Sequence, residues 1–459
     1  MSWARRIGLS VAFVVAAVDV VAAHDIGGTR FDSPLPLTVL FLGAGATVGL
    51  TAAWLGRSED LVPTETRTVG RLSAETIQGI RLVRRFGFTA VVVFAVIRGL
   101  VGRQVAAENV ATVFVWPLWL KGLGLVSILV GSPWRALSPC RGAHAVLEFF
   151  EGSRVRLRVY PEPLGVWPAV VGFVVVVGVI ENLTVIPRSP RLTVGFVALY
   201  AVVMVLGGTL FGRAWFRHAD VFEVLYRQFG RVAPVHVRAR NDEYVLETRF
   251  PWEECSSSVA EPGILAFIVA MVYTVSFDGF TNTPEYQQLL FAVRDVLTTG
   301  ALTGVILYII GFVGFVLSFV GAAAAVERLG NVTERSAIAT ARAFAPTVVP
   351  IAVAYELAHN YPFVLRNLAQ ALELGLHAVG QDQATVSLLG WLSLPVFWGT
   401  QVLLIVVGHV VAVVAAHEVA VHRYEPLARA RRAHLPLVVV MIGYTVLSLW
   451  IISRPVVSG

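Results

Sequence analysis

The stretch 298–326, TTGALTGVILYIIGFVGFVLSFVGAAAAV, has no charged side chain, with Asp295 shortly before it and Glu327 directly after. A helix needs about 20 apolar residues to cross the hydrocarbon core of a bilayer, so this segment is long enough to span with tilt. Working outward, the same pattern recurs near 7–23, 35–55, 86–105, 110–131, 164–186, 192–212, 262–278, 337–360, 389–416 and 435–453. The 459 residues are 56% hydrophobic and 14% charged, with a mean hydropathy of +0.72. Ordinary soluble domains carry about 25% charge. The expected fold is an all-α polytopic transmembrane bundle of 10–11 spans, embedded in a lipid bilayer.

Arginine sets the expected orientation. The chain has 35 Arg and one Lys, Lys121. The segments between spans alternate between crowded and sparse. Alternate segments from the N-terminus total 27 Arg and the others 7, counting Arg103 and Arg342 with their adjoining loops. Cationic side chains stay on the cytoplasmic side during insertion. The N-terminus is therefore expected inside and the C-terminus outside a cytoplasmic membrane. The net charge of +6 is spread over loops and forms no single face, so nucleic acid is not an expected partner. Cys140 and Cys255 both fall in inner loops, where a disulfide is not expected.

The first span has two readings. Arg5 and Arg6 precede an apolar run ending in Val21-Ala22-Ala23, which is also the form of a cleaved signal peptide; Asp19 interrupts the run. Residues 1–23 are thus a signal peptide or a first helix. Residues 24–212 form an N-terminal bundle, 213–261 a cytoplasmic loop, and 262–459 a C-terminal bundle. Within that loop, Ala214 to Arg231 has the pattern of an interfacial helix, and strands flank Asn241-Asp242 as a β-hairpin. Gly43-Ala44-Gly45 and Gly311 to Gly314 would permit close helix packing, although glycine is also simply common in spans.

Ionisable groups at membrane depth are costly and are candidates for function. An outer set comprises Asp19, His24, Arg98, Glu181, Asn182, Asp278, Glu356 and His359. An inner set comprises His409, His417, Glu418 and His422. Arg98 needs a carboxylate, and Glu181 is the expected partner in a buried ion pair, with Asp278 the alternative. Lys121 reads as a snorkelling side chain. Glu356 and His359 are three apart and share a helix face, the ligand unit of carboxylate-bridged metal bundles. His24, if it became the N-terminus, would chelate a metal through its amine and imidazole. The expected metal set is His24, Asp278, Glu356 and His359, holding copper or zinc at the outward face. His409, His417 and Glu418 form a second polar cluster, read as a second site or a proton path. A transporter is the alternative that span number and buried charge suggest. Phosphate-loop, nucleophile-elbow, H-E-x-x-H and C-x-x-C motifs are absent.

Five motifs in chain order resemble prokaryotic membrane proteins labelled fenitrothion hydrolase. They are Ala23-His24-Asp25-Ile26-Gly27-Gly28 with Pro34-Leu35-Pro36, Ser132-Pro133-Trp134-Arg135, Asp278-Gly279-Phe280 with Thr283, Ala354-Tyr355 to Ala358-His359, and Gly408-His409-Val410 to Ala416-His417-Glu418. The chain departs in Ser132, where the family has Asn, and in Glu418, where it has Asp. The resemblance implies an integral membrane family of poorly defined function, whose label suggests hydrolysis of organophosphate-type esters. Such chemistry needs a metal-activated water and a clamp on the phosphoryl oxygen.

Overall fold

The computed structural model describes residues 36–57, 66–240, 243–330, 336–378, 380–381 and 385–454. Asp19, His24 and the span predicted at 7–23 lie outside the described residues. Among the described residues, nine helices are long and apolar enough to cross a membrane, and the protein is a multi-pass membrane protein. In chain order the main helices are α1 (Leu37–Leu55), α2 (Ala74–Val101), α3 (Val110–Val130), α4 (Pro139–Glu151), α5 (Glu162–Glu181), α6 (Pro190–Phe211), α7 (Arg213–His218) and α8 (Val221–Phe229). They continue with α9 (Pro262–Thr281), α10 (Pro284–Leu297), α11 (Leu302–Gly330), α12 (Ala337–His377), α13 (Leu394–Arg423) and α14 (Leu427–Ile452). The predicted span at 86–105 is largely the apolar end of α2, which starts earlier, at Ala74.

Local chemistry sets several helix starts. Asn109 accepts from the Ala111 amide at 3.0 Å to cap α3. Pro190, Pro262 and Pro284 occupy first-turn positions, where the missing N–H is no loss. Gly212, at φ 65°, ends α6 in a conformation that other residues rarely adopt and lets α7 leave at once.

The centre of the bundle is α9, α12 and α13, whose apolar windows are each 78% buried. Outer helices turn large apolar residues to lipid, among them Leu42, Leu50, Leu199, Ile310 and Leu317. The two predicted bundles are not separate bodies: α1 packs on α13 and α14, and α3 packs on α12. Gly45 meets Ile442 and Gly311 receives the Tyr273 hydroxyl, whereas Gly43 and Gly314 face open space.

The hairpin is part of a larger sheet. β1 (Arg67–Ser73), β2 (Val235–Arg240) and β3 (Glu243–Thr248) pair antiparallel in the order β1-β3-β2, so a strand preceding α2 completes it. Tyr244 lies opposite both Leu72 and Ala239. The helix expected on the interface is instead broken at Ala219–Asp220, and α8 is buried along nearly its whole length. Its aromatic residues fill the bundle beneath α3 rather than facing lipid.

Candidate functional site: a lysine among three carboxylates

Lys121 is the chain's only lysine, and it is 6% exposed in the middle of α3. Its Nζ lies 3.2 Å from Glu181 Oε1, 3.6 Å from Glu356 Oε1 and 3.8 Å from Asp278 Oδ2. These residues come from α3, α5, α12 and α9, so four spans meet at one ammonium. His359 Nε2 extends the cluster, 3.8 Å from Asp278 Oδ2. Lys121 was expected to snorkel; three acids, one buried and two partly buried, hold it inside instead. Glu181 was expected to pair with Arg98; its partner is Lys121, and the Arg98 side chain is exposed.

Two of the four spans are locally unwound where the charges sit. Residues Val115–Gly122 form a π-helical segment that contains Lys121, and Val174–Glu181 form another that ends at Glu181. Such segments insert an extra residue into the turn, shift side chains around the axis and recur at functional sites. Pro117 sits in the first, where it offers no N–H to the ladder. The two distorted segments therefore aim the two oppositely charged side chains at each other.

One side of this centre is more open than the other. The side chains of His359 and Asp278 are 31% and 21% exposed, while those of Lys121 and Glu356 are 7% and 5% exposed. A cavity of about 20 Å³ touches Lys121, Asn182, Thr274, Asp278 and Glu356, room for roughly one water. Glu181 Oε2 and Asn360 Nδ2 are buried with no hydrogen-bond partner among the described residues. With every acid ionised, one ammonium faces three carboxylates, a formal charge of −2 in a low-dielectric interior. Such an excess is strongly disfavoured, so the centre calls for protons or another cation.

The floor of the centre is aromatic. Trp119 stacks on Trp134 at 5.5 Å between centroids, and Phe222, Tyr226, Tyr200 and Phe88 pack around the pair. Tyr226 of α8 donates to the carbonyls of Trp119 and Leu120 at 2.6 and 3.1 Å, which fixes the backbone beside Lys121. Below it, Asp220 accepts from Trp134 Nε1 at 2.7 Å, Tyr200 OH at 2.9 Å and the amides of Phe222 and Glu223. Burial pushes the Asp220 carboxyl above the ordinary range, and the Trp134 and Tyr200 donors pull it back. Glu223 lies 3.4 Å from Arg141 and 3.7 Å from Arg135. Burial, followed by the neighbouring Asp220, pushes the Cys140 thiol up to about 12; burial does the same for Cys255. Both thiols are free. The native protein at neutral pH should therefore resist N-ethylmaleimide at both positions, with mass spectrometry finding two adducts only after denaturation.

The predicted inner cluster is not brought together. His409 and His417 are eight residues apart on α13, about 12 Å along the axis at 1.5 Å per residue. His409 packs its ring against Tyr444 at 5.9 Å. His417 meets His434 at 5.5 Å, and Glu418 lies 3.7 Å from His422. The predicted metal set fares differently. Glu356 and His359 do share a face and both reach the centre, but Lys121 Nζ holds the position among the acids that a metal ion would need. Among the described residues no group of three or more His, Cys, Asp or Glu is arranged to hold a metal.

The reading from sequence missed Lys121 as the hub, along with Asp220, Glu223 and His434. For Lys121 the signal was present: in a chain that uses Arg everywhere else, the single Lys lies inside an apolar span. The chain matches no family profile, no curated protein and no solved structure.

Proposed function

We propose that the protein is an ion-coupled membrane transporter whose coupling centre is Lys121 with Glu181, Asp278 and Glu356. The observation that carries this reading is the charge imbalance: three acids from three spans, Glu356 buried and Glu181 and Asp278 partly so, share one buried ammonium from a fourth. Taking up or releasing a proton changes which acids Lys121 must neutralise, and so changes how four spans pack. Lysine suits this role where arginine would not, because only the ammonium can give up its proton. In this reading the N-terminus is inside, the C-terminus is outside and the centre opens outward through Asp278 and His359, as the Arg distribution supports. The aromatic floor of Trp119, Trp134 and Phe222 is the closed inner gate.

Metal handling and ester hydrolysis draw on the same Asp278 and His359, and on His24, which lies outside the described residues. Lys121 among the acids favours coupling over both. Elemental analysis finding stoichiometric copper or zinc, lost in His359→Ala, would favour the metal reading instead.

The test is electrical. Proteoliposomes adsorbed on a solid-supported membrane should give a transient charge displacement on an acidifying pH step. Glu356→Gln, which keeps the shape but cannot ionise, should abolish it. A wild-type trace equal to that of empty liposomes, or an undiminished signal in the variant, rejects the reading.

A further inference from the structure

His409 is 1% exposed and lies deep in α13. Its Nδ1 is 2.8 Å from the carbonyl oxygen of Ile405. A carbonyl only accepts, so Nδ1 carries the hydrogen and Nε2 is left with its lone pair. That Nε2 is buried with no hydrogen-bond partner among the described residues. An open basic nitrogen in an apolar interior is costly unless something visits it.

Three hydroxyls, of Tyr355, Ser276 and Tyr444, lie close to Asp278 in the chain or the fold, or to His409 in the fold. Tyr355 precedes Glu356 in α12, and its hydroxyl presses against Gly279, next to Asp278. That hydroxyl is also buried without a partner among the described residues. Ser276, two residues before Asp278 in α9, shares a short hydrogen bond with the Tyr444 hydroxyl. Tyr444 donates to the Val272 carbonyl at 2.6 Å, and its ring packs on His409. Beyond His409 the path closes: Ala412, Val413, Ala415 and Ala416 are all fully buried.

We propose that His409 is the inward proton acceptor of the charged centre, reached from Asp278 through Tyr355, Ser276 and Tyr444. A proton released by the carboxyl group passes along the hydroxyls, with water bridging the gaps, and bonds to Nε2 to give the imidazolium. The carboxylate is left behind and the Nδ1–H stays on Ile405. Because the proton arrives and leaves at Nε2, onward passage needs α13 to move. The dry Ala412–Ala416 turn makes His409 a switch rather than part of an open wire.

The electrostatic surroundings suit such a group. The titratable side chain facing the ring is that of Tyr444, from α14. Helix α1, packed against α13, carries no ionisable residue. Beside Gly408, α12 presents Pro350 and Ala354. Arg431, in the first helical turns of α14, acts on His417 instead.

This inference rests on the coupling reading, and its test separates the two. Proteoliposomes loaded with pyranine and polarised with potassium and valinomycin should take up protons faster than empty liposomes. His409→Gln should lower that rate by about a hundredfold or more, the lower end of what a positioned acid–base group contributes. Tyr444→Phe, which removes the hydroxyl and its bonds to Ser276 and the Val272 carbonyl, should lower it too. The pH-step displacement at the centre should persist in His409→Gln and so reports folding. If displacement is absent in wild type, the coupling reading fails. If it is present but His409→Gln takes up protons at the wild-type rate, or wild type takes up none, only the role of His409 is overturned.

Discussion

Lys121→Met should be the most damaging single change in the membrane region. It leaves Glu181, Asp278 and Glu356 facing one another without their shared cation. Removing one partner of a buried ion pair costs about 3–5 kcal/mol, because the other charge stays buried and uncompensated. Here several acids are stranded, so the loss at neutral pH should fall at the upper end of that range. The deficit should shrink as pH falls, since neutral acids no longer need the ammonium. It should also shrink when Glu181→Gln is added, because one stranded charge is removed. A double-mutant cycle on unfolding in mild detergent measures the coupling directly. Additive effects, with no rescue by Glu181→Gln, would mean that the 3.2 Å contact is not an energetic pair. Lys121→Arg is not expected to rescue. The guanidinium is larger, and it cannot lose its proton, so any stability it restores should come without the pH-step signal.

The second large effect is expected outside the charged centre. Asp220→Ala removes the acceptor for two buried side-chain donors, Trp134 Nε1 and Tyr200 OH, and the cap of α8. Each orphaned buried donor costs about 1–3 kcal/mol and a lost cap about 1 kcal/mol. A loss of about 3–7 kcal/mol follows. Asp220→Asn should lie between wild type and alanine, since its amide group must face a donor on one side. The consequence should reach the centre, because α8 carries Tyr226, whose hydroxyl holds the Trp119 and Leu120 carbonyls beside Lys121. Intrinsic fluorescence of the tryptophan pair, read with the pH-step displacement, checks both. A variant with wild-type stability and an unaltered Trp119–Trp134 signal would show that Asp220 does not organise this floor.

Much of the architecture was legible because a bilayer imposes a one-dimensional code. Helices α1, α3, α5, α6, α9, α11, α12, α13 and α14 each correspond to a predicted apolar stretch, within a few residues in most cases and longer at α12. Lipid leaves an unpaired backbone no partner, so length and hydropathy decide almost everything at that level. The hairpin at 235–248 was legible from its alternation, while its third strand, at 67–73, was not. That strand pairs across a long sequence separation, and no local pattern announces the match. The interfacial reading of 214–231 failed for a related reason. An amphipathic sequence with buried aromatics packs against other helices as readily as against lipid, and periodicity alone cannot tell the two apart.

The candidate site shows the same division. That Glu181, Asp278, Glu356 and His359 fall within apolar stretches follows from the order of residues alone. Lys121 as their common partner, and Arg98 left out of it, was decided only in three dimensions. Side chains at equal depth can face any direction around a helix, and two π-helical segments reset those directions for Lys121 and Glu181. The amino-acid order thus determined that the chain threads the bilayer and which apolar stretches carry its charges. The packed bundle decided which charges meet, because rotation about each helix axis depends on neighbours that no local stretch encodes.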